Sequence, residues 1–235
     1  MVAIRVVKQD RESWLTRHLP GPESEPPASP NAALIEARMQ LTQETGKHAL
    51  WEGYARVPGY AKSTRRPRSS NQVRTTAVTG AFYSWLVAAF GARQVVEFGT
   101  AFGVSGMHWL TGLAATGGHL FTYEPNAVWR ALALDNLAAI SPAFTSVEGT
   151  FEENAAATLQ PGCVDIGFID AIHTSAFVDS QFAILRRYVR PGGLVLFDDI
   201  HFSEDMKACW QRIAQAAEVR ASAGFGGRVG IVELR

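Results

Sequence analysis

From residue 94 onward, short apolar runs alternate with longer segments of mixed polarity. Gln94–Phe98, His119–Tyr123, Phe144–Glu148, Val164–Ile169 and Leu194–Phe197 are bounded by glycine, proline or polar residues and read as strands. Val104–Leu113 and segments from about Asn126 to Ile140, Ser175 to Val189 and Glu204 to Glu218 read as the helices between or after them. Pro191-Gly192-Gly193 is a turn signal. Val219–Ser222 and Val229–Leu234 are two final candidate strands, joined by Gly224-Phe225-Gly226-Gly227. Apolar strands alternating with helices pair in parallel and need cover on both faces. Right-handed crossovers then lead to a doubly wound sheet. The fold class is α/β.

The first part of the chain has a different texture. Pro20, Pro22, Pro26, Pro27 and Pro30 exclude a regular element there and predict an extended linker. Residues 2–19 are too few to fold alone and are expected to pack on the main body or on a second copy, which makes a homodimer an expectation. Asn31 can cap a helix that begins at Ala32 and Ala33 and is broken by Gly46. Residues 56–74 are polar and irregular, and Thr75 to Phe90 is an apolar helix closed by Gly91. The expected organisation is an N-terminal arm, proline-rich linker and lid helix over 1–70, with the α/β domain over 71–235.

Charge and cysteine content narrow the function. Among 235 residues, 22 Lys and Arg balance 22 Asp and Glu, which argues against a dedicated nucleic-acid binder. Cys163 and Cys209 form no metal-type pair and no disulfide framework, which suits a reducing compartment. Arg5, Lys8 and Asp10 are followed by no apolar signal core, and no uncharged run reaches the ~18 residues of a membrane helix. The expectation is a soluble, cytoplasmic protein with a small-molecule partner.

The chemistry concentrates at the strand ends, where open α/β sheets bind ligands. The first strand runs into Glu97-Phe98-Gly99-Thr100-Ala101-Phe102-Gly103, followed by Ser105 in the next helix. Gly99 permits a sharp turn and close approach of a ligand to the backbone, and Gly103 lets the helix start tight against the loop. Glu97 is placed to receive an amino group, directly or through water. Glu124, at the end of the second strand, can accept both hydroxyls of a ribose. Gly149-Thr150-Phe151-Glu152, after the third strand, can frame an adenine ring, with Phe151 as the apolar face and Glu152 as acceptor for the exocyclic amine. Ala101 breaks the G-x-G-x-x-G pattern of nicotinamide-binding domains.

Over residues 71–235 these features resemble the class I S-adenosylmethionine (SAM)-dependent methyltransferases. The resemblance implies a Rossmann-like methyltransferase fold with a seven-stranded, mostly parallel sheet whose last strand is antiparallel. It implies SAM as cofactor, held by Glu97, Gly99, Thr100, Ala101, Gly103, Ser105, Glu124, Gly149, Thr150, Phe151 and Asp170.

Asp170 ends the fourth strand, and Asp198-Asp199 end the fifth. Neighbouring strands lie about 4.8 Å apart. Three uncompensated acids at that spacing repel, and a divalent cation, by default Mg²⁺, would relieve the conflict. The arrangement is similar to metal-dependent O-methyltransferases of the catechol and caffeoyl-coenzyme A types. There the equivalents of Asp170, Asp198 and Asp199 hold the metal. Asp170-Ala171-Ile172-His173 departs from the catechol type, which has Lys where this chain has His173. It is closer to bacterial D-x-x-H members, including macrolide-sugar O-methyltransferases, which implies His173 as general base. The bland readings are acids that face the methyl-transfer site without metal, Asp199 as a turn cap, and His173 bonded to a loop carbonyl. His201 is a weaker candidate for contact with substrate.

Lys62, Arg65, Arg66, Arg68 and Arg74 form a basic segment, and Trp51, Tyr54 and Tyr60 an aromatic one. They are either ordinary surface and packing or a lid that meets an anionic group of substrate or cofactor. The leading expectation is Mg²⁺-assisted methyl transfer to a hydroxyl of a sugar, phenol or natural-product scaffold, with Asp170 and His173 as catalytic residues. The alternatives are metal-independent N- or C-methylation and SAM binding without methyl transfer.

Overall fold

A computed structural model describes residues 4–19, 26–57 and 66–235. Lys62, Arg65 and Tyr60 of the expected lid lie outside the described residues. The parallel body comprises β2 (Gln94–Phe98), β3 (His119–Glu124), β4 (Phe144–Glu148), β5 (Val164–Ile169) and β6 (Val189–Phe197). β7 (Val219–Phe225) and β8 (Val229–Leu234) form a hairpin, and β1 (Ile4–Lys8) joins from the N-terminus. The sheet order is β1-β7-β8-β6-β5-β2-β3-β4. β8 runs antiparallel to β6, and β1 antiparallel to β7. The sheet thus has eight strands where seven were expected. The extra one is the arm itself, which adds Ile4–Lys8 to the open edge of β7.

The arm is also held by a buried acid. Glu233, on β8, accepts hydrogen bonds from the Ser13 hydroxyl at 2.7 Å and the Leu15 N–H at 3.0 Å. This fixes the start of α1 (Trp14–His18). Lys8 Nζ donates to the carbonyls of Ala216 and Val219.

Helices cover both faces. On one side α4 (Ala77–Phe90), α5 (Val104–Leu113) and α6 (Ala127–Ala138) pack against the sheet, with α2 (Ala32–Glu44) outside them. On the other lie α7 (Phe151–Thr158), α8 (Ser175–Leu185) and α9 (Glu204–Ala214). A short helix, α3 (Ser70–Val73), precedes α4. Alternation along the strands serves the two layers, with Val95 and Phe168 facing one core and Val96 and Ile169 the other.

Two local expectations are corrected, and one element is added. Asn31 precedes α2 but makes no side-chain cap, because its amide donates to Thr111 Oγ1 on α5 instead. Pro191-Gly192-Gly193 does not end an element, since β6 begins at Val189 and carries those residues through an irregularity in its pairing with β5. Residues 151–158 form a helix, α7, whose start is closed by a reciprocal Thr150–Glu153 capping box. No described helix is long and apolar enough to cross a membrane.

Candidate active site

Strand order reverses between β2 and β5, and the loops after their C-terminal ends meet there. The Asp170 N–H donates to the Phe98 carbonyl at 3.1 Å, and the Gly99 N–H to the Tyr123 carbonyl at 3.1 Å. Gly99 has φ +93°, and a β-carbon there would lie 1.8 Å from the Asp170 carbonyl oxygen. Ala101 also holds a positive φ, +48°. Its N–H donates to Glu124 Oε2 at 2.8 Å, while Glu124 Oε1 accepts from the Asn126 N–H at 2.9 Å. Burial raises the Glu124 pKa to about 7, against the pull of those two bonds.

These residues wall a cleft. Its lining includes Phe98, Gly99, Glu124, Thr150, Phe151 and Glu152, together with Trp51, Tyr54, Trp129, Ile172, Phe177 and Gln181. Phe151 is buried and stacks on Phe98 at 4.3 Å between ring centres. Two side chains of this lining each carry a buried polar atom that has no partner among the described residues, a donor at Trp129 Nε1 and an acceptor at Gln181 Oε1. A buried polar atom left unpaired costs about 1–3 kcal/mol, so the cleft is built for a ligand with both an acceptor and a donor. An adenosyl group fits that requirement.

Glu97 is placed differently from its expectation. It lines none of these clefts and is fully buried behind the loop. Trp109 Nε1 donates to it at 3.1 Å and the Thr122 hydroxyl at 2.9 Å, with Ser105 a further partner. Burial lifts its pKa to about 7. Its direct role is to brace α5 and β3 from within. Thr100 is likewise buried, hydroxyl to hydroxyl with Thr122, yet it lines a groove with Arg74, Gly99, Ala101, Ser105 and Asp170. Gly103, at φ +81°, starts α5 against Ala133, and Gly149, at φ +108°, donates its N–H to the Glu124 carbonyl.

The acidic cluster opens onto an adjoining cavity lined by Asp170, His173, Asp199, Phe202 and Arg228. Gly99, Glu124, Trp129, Tyr54 and Ala171 are walls of both spaces. His173 Nε2 lies 3.8 Å from Asp170 Oδ1 and 3.6 Å from Asp199 Oδ2. Burial lowers the His173 pKa, with the nearby acids opposing. Burial raises that of Asp170 well above the usual carboxylate range, and the Asp198 charge adds to the rise. Asp199 is raised for the same two reasons.

The expected metal set is not what the acids form. Asp198 is almost fully buried and takes a two-pronged bond from Arg228, with Nε at 2.8 Å and Nη2 at 2.5 Å. Arg228 Nε also lies 3.1 Å from Asp199 Oδ1. The electrostatic conflict among the three carboxylates is therefore met by a guanidinium. Among the described residues no group of three or more His, Cys, Asp or Glu side chains is disposed to hold a metal ion. The donor set does not fit Mg²⁺, because both oxygens of Asp198 are engaged.

Comparison with known proteins agrees with this geometry. Residues 96–200 match the model of a family described as a methyltransferase domain. The matched stretch runs from within β2 to just past β6, so it contains the loops that carry the candidate site. Solved structures similar to the chain include an O-methyltransferase from Bacillus cereus in complex with S-adenosylhomocysteine (SAH), at TM-score 0.62 and 19% identity, covering 86% of this chain and 90% of that one. Another is the O-methyltransferase TomG from Streptomyces achromogenes, involved in tomaymycin synthesis and bound to SAM, at 0.61 and 17%, covering 84% and 89%. A third is an SAH-bound methyltransferase from Podospora anserina, at 0.59 and 14%, covering 93% and 98%. At these identities the likeness establishes the fold. No curated protein matches the sequence. The class I SAM-dependent methyltransferase reading of the sequence is borne out.

The site also contains residues that the sequence does not single out. Gln181 lies in the middle of α8 and Trp129 in the first turn of α6, and both look like ordinary core positions. Arg228 follows Gly226 and Gly227, both at positive φ, in the turn between β7 and β8. His201 lies away from the cavity, with Nδ1 2.6 Å from the Gly227 carbonyl oxygen, so its substrate-contact assignment is dropped. Of the basic segment, Arg74 pairs with Glu36 at 3.1 Å, and the Arg68 backbone bridges to His48. Trp51 and Tyr54 do line the cleft, and the Tyr54 hydroxyl donates to the Ala171 carbonyl at 3.2 Å.

Proposed function

We propose that this chain is a SAM-dependent O-methyltransferase acting on a hydroxyl of a small molecule. The observation that carries the reading is the pair of adjoining spaces with common walls at Gly99, Glu124 and Ala171. One has the chemistry of an adenosyl site and the other holds His173 and two acids. In the first, Glu124 would take the ribose hydroxyls. Phe151 would pack on the adenine, and Trp129 Nε1 and Gln181 Oε1 would gain partners. Arg74 lines the groove beside Thr100 and Ser105, and would have to exchange its pairing with Glu36 to meet the amino-acid carboxylate.

When bound, SAM supplies an electrophilic methyl carbon for in-line displacement. The chain's own residues position the acceptor and take its proton. Neutral hydroxyls are poor nucleophiles, so a base within reach matters. Burial lowers the His173 pKa, which favours the neutral imidazole a base must be, and Asp170 and Asp199 flank its Nε2. The acceptor proton passes to that nitrogen as the oxygen–carbon bond forms, and leaves to solvent after product release. Tyr54 and Arg68, from the segment before the α/β core, line the cavity and would limit the size of the acceptor.

The test is calorimetric titration with SAH, followed by transfer of labelled methyl from SAM to a panel of hydroxyl compounds. We expect SAH binding, and His173→Asn to lower kcat by about 100-fold or more at unchanged SAH affinity. Folded protein that ignores SAH, or transfer indifferent to His173→Asn, overturns the reading.

A further inference from the structure

We infer that Arg228 is a built-in replacement for a divalent cation, and that this site excludes metal by carrying its own positive charge. The inference concerns the acid cluster alone and does not depend on the acceptor's identity. Guanidinium is planar, permanently charged and matched in geometry to a carboxylate. Arg228 uses that match on Asp198 and reaches Asp199 with the same Nε. A cation ligated by Asp198 would have to displace these bonds and come to rest beside a fixed positive charge.

The backbone makes the placement rigid. β6 and β8 pair antiparallel, with Phe197 opposite Gly230. Continuing that register two steps past the strand end sets Asp199 opposite Arg228. The Ile200 N–H donates to the Arg228 carbonyl at 3.0 Å, which locks the hairpin turn to the Asp198-Asp199 turn. Gly226 and Gly227, at φ +61° and +66°, provide the tight reversal that delivers the arginine. Asp199 itself adopts φ +50°, so both sides of the pair sit on specialised backbone.

Arg228 is thus a positioning residue. It holds the Asp198 and Asp199 carboxylates side by side and keeps Asp199 next to His173, the arrangement a metal would otherwise enforce.

Mn²⁺ binding, followed by electron paramagnetic resonance, separates the possibilities without any activity assay. Wild-type protein is expected to bind no Mn²⁺ at the cluster up to about 1 mM free ion. Arg228→Ala and Arg228→Gln unmask three carboxylates and should bind it at least about tenfold more tightly than wild type. Arg228→Lys keeps the charge and should still exclude the ion. A purely structural arginine would not separate Lys from Gln in this way. Near-UV circular dichroism with SAH titration checks that each variant is folded and still binds the nucleoside. Failure to bind SAH would count against the methyltransferase reading and leave the Mn²⁺ result to judge Arg228. Stoichiometric Mn²⁺ binding by wild type that Asp198→Asn abolishes overturns the inference, as does a folded Arg228→Gln with no gain. The wild-type titration decides by itself if the variants do not fold.

Discussion

The Asp170 carbonyl oxygen stands 1.8 Å from the place a β-carbon on Gly99 would occupy. The obstacle is backbone, which cannot rotate away, so an alanine at 99 must push the tips of β2 and β5 apart. It must also take up φ +93°. That conformation alone costs about 1–3 kcal/mol for a residue with a side chain. Gly99→Ala is therefore expected to lower Tm by several degrees, at roughly 2–4 °C per kcal/mol for a chain of this size. Because Gly99 walls both spaces, SAH affinity should fall by about tenfold or more, since 1.4 kcal/mol is one decade. Thermal melts and calorimetry check the two effects, and a variant that melts and binds like wild type would remove Gly99 from the account.

Glu97 makes a pH prediction with a definite sign. Burial raises its folded pKa to about 7, from an ordinary value of 4.5. The folded protein therefore holds a proton that the unfolded chain has released. The stability this contributes is fully present below about pH 4.5 and disappears as pH rises through 7. A shift of that size corresponds to a cost on the order of 3 kcal/mol at pH 8. Glutamine cannot ionise and keeps an oxygen for Trp109. Glu97→Gln should accordingly be more stable than wild type at pH 8, with the gain shrinking toward zero at pH 4. Urea unfolding at both values measures it. Equal destabilisation at both would show that the carboxylate is held ionised instead.

Much of this was legible in the sequence, because apolar strands bounded by turn residues announce themselves. Gln94–Phe98, Phe144–Glu148, Val164–Ile169 and Val229–Leu234 have their predicted limits. What failed was either short or non-local. α7 begins beside Gly149, where the strand and helix pattern assigns no element, although Thr150-x-x-Glu153 is a capping-box signature. β1 shows no clean alternation, and its place in the sheet depends on β7, more than 200 residues away. The acids at 170, 198 and 199 were found, but their counter-charge was sought in a metal. The signal for Arg228 was present. An antiparallel last strand beside the fifth brings the residue after Gly226-Gly227 opposite Asp199. Nothing local marks Gln181 or Trp129, since an unpaired polar atom is a property of packing and not of spacing.

Gln181 offers the most direct probe of the nucleoside cleft. Its Oε1 is buried without a partner among the described residues, and the side chain lines the same cleft as Phe151 and Phe177. In the free protein this oxygen is a liability of about 1–3 kcal/mol, which a ligand donor such as an exocyclic amine would relieve. Leucine has a similar volume and no polar atom. Gln181→Leu is therefore expected to leave the Tm of the free protein unchanged or raised. The same change removes an acceptor the ligand needs, so SAH should bind about 5–15-fold more weakly, the equivalent of one hydrogen bond of about 1–1.5 kcal/mol. The two measurements move in opposite directions only if the oxygen faces the ligand. A destabilised variant with unchanged SAH affinity would mean that Gln181 supports the core, and the acceptor in the cleft would have to be sought at Glu152.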